Sequence, residues 1–202
     1  MNDILRKCLP ELICTRISHD LIGNIGAVAN AVELLEEGDM DFLNDISSIL
    51  KVSSHVLTAR LKFFRMTFGI SNDNLKDIAL VAEAAQGYLQ TLGNQNYPIQ
   101  LDLELHSEKY ARIALLIIMI LADVMIKGGR IEAREINGGF AALIHHSSSL
   151  STEKISHIKM LLRDEVSETQ AQYAPVVYLQ NLLNNEKKIN IIEEDMFGFI
   201  VK

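Results

Sequence analysis

The stretch SHDLIGNIGAV, residues 18–28, places a histidine, an aspartate and two glycines in an otherwise apolar helical pattern. A neutral imidazole can act as a nucleophile when a nearby carboxylate fixes its tautomer. Asp20 directly follows His19, and Gly23 lies one helical turn away, so the ring stands beside a position without a side chain. Because a glycine inside a helix costs about 1 kcal/mol relative to alanine, we expect Gly23 and Gly26 to keep access to His19 open.

The same residues permit a simpler interpretation. His19 could be an ordinary surface histidine, and the two glycines could let two helices pack closely. On spacing alone, this simpler interpretation is favoured.

A pair of long helical patterns must position this stretch. Residues 3–37 form the first pattern, which is interrupted at Pro10, and residues 41–68 form the second, which ends at Gly69. Because Gly38 supplies a short turn between them, the two helices are expected to form an antiparallel hairpin.

The apolar residues of the first helix cover a broader arc than one neighbouring helix can bury. The main stripe recurs every three or four residues: Ile13, Ile17, Leu21, Ile25, Val28, Val32 and Leu35. Further apolar residues lie off that stripe: Leu12, Ile22, Ala29 and Leu34. Four helices close a core and one chain supplies two, so the pattern predicts a homodimer with a four-helix bundle. Cover by a second domain is the alternative.

The composition changes after SNDN, residues 71–74, and strand and helix patterns follow one another. In chain order they are a helix over 75–92, a strand over 99–105, a buried helix over 108–127, strands over 130–136 and 140–146 joined at Gly138-Gly139, helices over 151–163 and 169–184, and strands over 188–194 and 197–202 around a turn at Asp195-Met196. We therefore expect an α+β protein. Its two domains are the helical hairpin, 1–72, and an α/β sandwich with helices on one face of a sheet, 73–202.

Charge and hydropathy exclude some classes of partner. The net charge of −7 argues against nucleic acid, because phosphate backbones are bound by clustered Lys and Arg. The most apolar run, IALLIIMILA over 113–122, has only ten residues, whereas a membrane-spanning helix needs about 20. The N-terminus lacks the pattern of a signal peptide. We therefore expect a cytoplasmic protein that binds neither nucleic acid nor a membrane.

The segment S-H-D-L-I-G-N-I-G resembles the phosphoacceptor box of sensor histidine kinases, S-H-E-L-R-T-P-L. It resembles more closely the ChpT-like histidine phosphotransferases of bacterial phosphorelays. The resemblance continues in four further segments: AVELLEEG at 31–38, ARLKFFRMTFG at 59–69, GGRIEA at 128–133 and QAQYAPVVYLQNLL at 170–183. It implies that His19 is the phosphorylated residue and that Asp20 is its acid–base partner.

Two positions depart from the pattern of the resembled families. Gly23 and Asn24 stand where the kinases have Thr and Pro, and where ChpT-like proteins often have Ser and Pro. Without the proline, the helix is expected to lack the usual bend. Without the hydroxyl, a dephosphorylating role for this position is not expected.

The resemblance also implies the partners. His19 would accept a phosphoryl group from the receiver domain of a hybrid kinase and pass it to a response regulator, and Mg²⁺ would come from the acidic pocket of the receiver. The expected partner-binding residues surround His19 on the two helices: Arg16, Gly23, Asn24, Gly26 and Arg60. Arg16 and Arg60 could meet the acidic rim of a receiver.

The second domain resembles the ATP-binding domain of the kinases in the order of its elements. Where the kinases have an Asn-rich helix that holds magnesium, this chain has LLIIMILADVMIKGG, residues 115–129, with Asp123 as the only candidate ligand. A nucleotide site needs close backbone approach to phosphates and oxygen ligands for its metal. We therefore expect a degenerate domain that holds no ATP, no metal and no other cofactor.

Two other functions are weighed against phosphotransfer. A dimeric adaptor that docks receivers without chemistry would explain the departures at Gly23 and Asn24, but not the presence of both His19 and Asp20. A residual kinase would require measurable ATP binding.

Overall fold

The computed structural model describes residues 3–37, 42–93, 96–145, 149–183, 188–193 and 196–202. The chain begins with three helices: α1 spans Asp3–Lys7, α2 spans Leu9–Glu36 and α3 spans Leu43–Phe68. Helices α2 and α3 pack extensively against each other, which confirms the predicted hairpin. The predicted turn at Gly38 lies outside the described residues.

The predicted interruption at Pro10 is wrong by two residues. The helical pattern breaks at Cys8, and Pro10 lies in the first turn of α2. A proline is tolerated there because the N–H groups of the first turn have no partner within the helix.

The rest of the chain forms the α/β layer. Its elements are α4 (Ile78–Gln90), β1 (Ile99–Glu104), α5 (Ala111–Val124), β2 (Met125–Lys127), β3 (Gly129–Ile136), β4 (Gly139–His145), β5 (Ser149–Leu150), α6 (Thr152–Leu162), α7 (Ala174–Leu183), β6 (Ile189–Ile192) and β7 (Gly198–Val201). Asp77 caps α4 by accepting hydrogen bonds from the N–H groups of Ala79 and Leu80. Single 3₁₀ turns precede α4, α5 and α7.

The main sheet has five strands in the order β1-β3-β4-β7-β6. Strands β1 and β3 run parallel, and every other neighbouring pair is antiparallel. The residues of β3 alternate, so Ile131 and Ala133 are buried while Arg130 and Arg134 are exposed. Helix α5 packs against β3 and β4 on the buried face. This arrangement confirms the predicted α+β fold class.

The boundaries of two predicted helices differ from the sequence prediction. The predicted helix over 108–127 ends at Val124, because residues 125–127 pair with β5 in a separate two-stranded sheet. The predicted helix over 169–184 begins only at Ala174, after a 3₁₀ turn, because Pro175 fits the first turn of a helix but not its interior. The predicted turn at Asp195-Met196 and the end of the strand at His146 fall partly outside the described residues.

One hydrophobic core joins the hairpin to the α/β layer. Helix α5 supplies its centre, since all but two of its fourteen residues are buried. Phe63 of α3 stacks on Tyr88 of α4 with ring centroids 4.0 Å apart. Leu9 and Leu21 of α2 belong to the same cluster of buried residues. The two predicted domains are therefore packed together, and the boundary at residue 72 stays a prediction.

The apolar stripe of α2 divides into two parts. Ile13 and Ile17 pack against the shared core, so the α/β layer covers the first half of the helix. The exposed apolar residues of α2 and α3 are called here the hairpin apolar residues: Ile22, Ile25, Val32, Leu34, Leu35, Leu43, Ile49, Val52 and Leu61. Each is between 37% and 64% exposed. No helix in the described part of the chain is long and apolar enough to cross a membrane.

Candidate functional site

His19 projects from the exposed side of α2, with 84% of its side chain accessible. Its Nδ1 atom lies 3.3 Å from Oδ1 of Asp20, whose side chain is largely buried. When Nδ1 carries the ring proton, it donates to Asp20 and leaves the lone pair of Nε2 free. The ring can then act as a nucleophile at Nε2, on its solvent side.

A buried arginine holds the Asp20 carboxylate. Arg16 lies one turn before Asp20 on α2, and its Nε donates to Asp20 Oδ2 at 2.8 Å. The two terminal nitrogens of Arg16 donate to both carboxylate oxygens of Asp123 on α5, each at 2.9 Å. One of them also donates to the backbone carbonyl of Gln172 at 3.1 Å. Arg16 therefore joins α2 to two elements of the α/β layer.

The charges of this cluster are matched. Burial alone would lower the pKa of Arg16, but Asp123 and Asp20 raise it above its ordinary value, so the guanidinium stays charged. Burial raises the pKa of Asp123, while Arg16 and Lys154 oppose that rise. Lys154 of α6 also donates from Nζ to the backbone carbonyl of Asp123 at 2.7 Å.

Arg60 on α3 fixes the backbone around the histidine. One of its terminal nitrogens donates to the backbone carbonyl of Asp20, and its Nε donates to Oγ1 of Thr91 at 3.0 Å. Its other terminal nitrogen donates to the Thr91 carbonyl at 3.2 Å. Arg60 thus ties α2 to the end of α4. This position gives it, like Arg16, a role in holding the site together.

The two glycines of α2 face open space. A Cβ atom built on Gly23 or on Gly26 would meet nothing within 4 Å. Within one chain, therefore, neither glycine serves close helix packing. Asn24, between them, is half-buried. Access for a docking protein and contact with a second copy remain as explanations of the glycines.

His19 stands at the edge of a groove of about 590 Å³ between the hairpin and the α/β layer. The residues that line it come from both units: Thr15, Arg16, His19, Asp20, Arg60, Leu92, Asp123, Lys154, Gln170, Ala171 and Gln172. Three of these side chains are cationic and two are anionic. The groove can therefore receive an anionic group beside the ring.

The sequence predicts site roles for His19, Asp20, Arg16 and Arg60, which the structure brings together, but it predicts none for Asp123 or Lys154. Asp123 had been considered only as a metal ligand of a lost nucleotide site. The available signal was a lone carboxylate near the end of a continuous apolar run, since such a buried charge needs a cation. Among the described residues, no group of three or more His, Cys, Asp or Glu is placed to hold a metal ion.

No protein-family model matches this chain. A curated relative, "Protein phosphotransferase ChpT" from Brucella abortus (strain 2308), is 46% identical over 61 residues. The match covers 30% of this chain and spans 28% of that relative's own length. A solved structure, described as "1.7 Angstrom Structure of a Bacterial Phosphotransferase", is similar over 96% of this chain and 95% of its own, with a TM-score of 0.75 and 25% identity. Both matches are to proteins described as phosphotransferases: one is similar to a short segment of this sequence and the other to almost the whole fold.

Proposed function

We propose that this chain is a histidine phosphotransferase of a bacterial phosphorelay and that His19 carries the phosphoryl group. The observation that carries the proposal is the geometry of the His19 ring. One ring nitrogen lies against a buried carboxylate, and the other is open to a partner. The phosphotransferase names of the curated and structural matches support the same class of reaction.

The reaction needs no nucleotide. Nε2 of His19 attacks the phosphorus of an aspartyl phosphate on a receiver domain, so that an N–P bond forms while the bond from phosphorus to the aspartyl oxygen breaks. The freed carboxylate stays with the receiver. The Nδ1 proton stays on the ring, and Asp20 stabilises the resulting positive charge. The reverse step delivers the phosphoryl group to the aspartate of a second receiver.

The proposed partners are the receiver of a hybrid kinase, as donor, and a response regulator, as acceptor. Arg60 and Lys154 line the groove and add positive charge where an acidic receiver would dock. Arg16, which the sequence also suggested for partner binding, is buried and occupied by Asp20 and Asp123. The open surface at Gly23 and Gly26 leaves room for a helix or loop of the partner. Mg²⁺ is expected from the receiver, whose acidic pocket would bring it to the reacting phosphoryl group.

The α/β layer is proposed to be a degenerate ATPase domain. Asp123, the one candidate metal ligand on α5, accepts hydrogen bonds from both terminal nitrogens of Arg16. Its carboxylate is therefore occupied by an internal cation. We propose that the layer holds neither ATP nor a metal ion of its own.

We also propose that the protein is a homodimer. The hairpin apolar residues are exposed in the single chain, while the α/β layer covers only the first half of α2. A second hairpin packed on them would complete a four-helix core and remove their apolar area from water.

The second candidate function is a dimeric adaptor that docks receivers without accepting the phosphoryl group. The absence of a hydroxyl and of a proline at Gly23 and Asn24 favours it. The adaptor and the phosphotransferase differ in one measurable property, which is covalent label on His19.

Transfer from a phosphorylated receiver tests the proposal directly. Receiver domains encoded in the same genome are phosphorylated with radiolabelled acetyl phosphate and mixed with the full chain. Label should appear on this chain as acid-labile phosphohistidine, and His19→Gln should abolish it. Because His19 is exposed, the substitution should change the free energy of unfolding by less than about 0.5 kcal/mol.

The matched control is His55→Gln, which removes another exposed histidine, on α3. This variant should accept label at the normal rate. Binding of a receiver without any label on the wild-type chain would favour the adaptor instead.

A further inference from the structure

We propose that Asp123 of α5 is a positioning residue for His19. Through Arg16 it orients the Asp20 carboxylate, which in turn fixes the ring tautomer that leaves Nε2 as the nucleophile. The inference rests on the proposed phosphotransfer at His19. It adds a function for the α/β layer. The layer supplies Asp123, which begins a chain of contacts that continues through Arg16 and Asp20 to His19.

The first step is the geometry of the guanidinium group. A guanidinium is planar, with its donors in a rigid fork, so two fixed nitrogens determine the direction of the third. Asp123 holds the two terminal nitrogens of Arg16 at 2.9 Å. The Nε–H bond is thereby aimed along α2 toward Asp20 Oδ2, at 2.8 Å. Without Asp123, the fork would be free to turn.

The second step is the carboxylate of Asp20. Because Arg16 occupies its Oδ2 atom, Oδ1 is the oxygen left to face Nδ1 of His19, at 3.3 Å. A carboxylate accepts but cannot donate, so it selects the ring form that has its proton on Nδ1. If the Asp20 carboxylate rotated freely, it would no longer favour the Nδ1–H tautomer of His19.

The third step is the fixed position of Asp123 itself. It lies near the end of α5, whose other residues are apolar apart from Arg112 in the first turn. Lys154 holds its backbone carbonyl at 2.7 Å. A buried ion pair gives little net stability, because well-packed apolar residues often do as well. A net gain in stability therefore does not account for the Asp123 carboxylate in this apolar helix, and we infer the positioning role from its contacts with Arg16.

The test reads the tautomer of His19 in the free, full-length protein. Ring ¹⁵N chemical shifts are recorded about two units above the ordinary histidine pKa of ~6.5, where a neutral ring shows which nitrogen carries the proton. The His19 signals are identified by their loss in His19→Gln. The wild type should show mainly the Nδ1–H form. Asp123→Asn, which keeps the shape and removes the charge, should shift the population toward Nε2–H.

Reactivity is measured in parallel with phosphoramidate, a small donor that phosphorylates histidine without a receiver. Asp123→Asn should lower the initial rate of His19 phosphorylation by about 10-fold, the usual scale for a residue that acts through another. Asp102→Asn is the matched control, since Asp102 pairs with Arg130 on the exposed face of the sheet. It should change neither the tautomer nor the rate.

A second variant tests the same prediction in case Asp123→Asn does not fold. Arg16→Lys keeps the positive charge but has no fork to join the two carboxylates, and it should shift the tautomer in the same direction. An unchanged tautomer in a folded Asp123→Asn protein would overturn the proposal, even if the rate fell. Failure of both variants to fold would also overturn it, because the cluster would then be a structural ion pair.

The two proposals fail in different ways. If wild-type His19 accepts no phosphoryl group from phosphoramidate or from a receiver, the proposed function fails. The tautomer measurement, which needs no donor, still decides whether Asp123 positions the ring.

Discussion

At the scale of residues, the site separates an exposed histidine, the proposed reacting group, from the buried groups that hold it. His19 is open to solvent, while Arg16 is buried and Asp20 is largely so. Substitution of the histidine should therefore change reactivity with little effect on folding. Substitution of the largely buried Asp20 should change both reactivity and folding.

We expect Asp20→Asn to slow phosphoryl transfer by about 100-fold or more, the usual scale of acid–base assistance. The amide cannot stabilise the positive charge on the phosphorylated ring. Initial rates of transfer from a phosphorylated receiver measure the effect. Asp45→Asn, at an exposed position on α3, is the control and should transfer normally. An Asp20→Asn protein that is folded and transfers within twofold of wild type would contradict the role of Asp20.

Sequence reasoning reached the site residues that lie on the predicted hairpin, most directly those that are near one another on α2. His19 and Asp20 are adjacent, and Arg16 lies one turn before Asp20, so the helical period relates them. Asp123 is 107 positions from Arg16, and its contact depends on how α5 packs beside α2. A one-dimensional pattern carries no information about that packing. It shows only that a lone carboxylate in an apolar run needs a partner.

At the scale of elements, α2 carries its two glycines on a surface with no intrachain contact. The glycines therefore weaken the helix without improving its packing in the single chain. We therefore attribute their function to a molecule that contacts this side of α2, either a docking protein or a second copy of the chain.

Replacement of Gly23 by leucine separates the two remaining explanations. Because a Cβ there would meet nothing within 4 Å, Gly23→Leu should gain up to about 1 kcal/mol of helix propensity. If the glycine serves access, the variant should remain a folded dimer but lose transfer from a receiver. Gly23→Ala adds no bulk beyond Cβ, and it should gain stability while keeping transfer.

Thermal unfolding, sedimentation and receiver transfer on these two variants give the answer. Loss of the dimer in Gly23→Leu would indicate contact with a second copy. A stable Gly23→Leu dimer that transfers at the normal rate would contradict both explanations.

The element boundaries that sequence reasoning missed have local causes. The hydrophobic run through α5 continues past Val124, so periodicity alone extends the helix over β2. The strand forms because residues 125–127 find a partner in β5, which lies more than twenty positions further along the chain. Strand pairing between distant segments decides such boundaries, and propensity does not.

At the scale of the whole molecule, the hairpin apolar residues require an explanation. They are exposed on α2 and α3, although other residues of the same two helices pack into the shared core. Apolar surface of this kind on a hairpin is typical of an interface.

We expect the full chain to sediment as a dimer at micromolar concentration. Val32→Glu should convert it to a monomer, because a charge buried in the bundle would be unpaired. Ile70→Glu is the matched control, since Ile70 is fully exposed beyond the end of α3. This control should remain a dimer. A wild-type chain that is monomeric throughout the micromolar range would contradict the proposed bundle.

We expect no saturable binding of ATP with Mg²⁺ to the full chain. The carboxylate of Asp123 is occupied by Arg16, and a metal would have to displace two hydrogen bonds of 2.9 Å. Isothermal titration calorimetry measures the heat of binding. A dissociation constant in the micromolar range would instead favour a residual kinase.

The shared core of hairpin and α/β layer has a consequence for the kinetics of docking. Because the two units share one core, both sides of the groove form when the protein folds, and Arg16 of α2 binds Asp123 of α5 across it. The proposed receiver partner would therefore meet a preorganised surface and lose little affinity to the ordering of loops or domains. Rigid-body docking of this kind permits association rate constants of about 10⁵–10⁷ M⁻¹ s⁻¹. For the proposed carrier, which would serve two receivers in turn, this association rate sets how often each receiver is met.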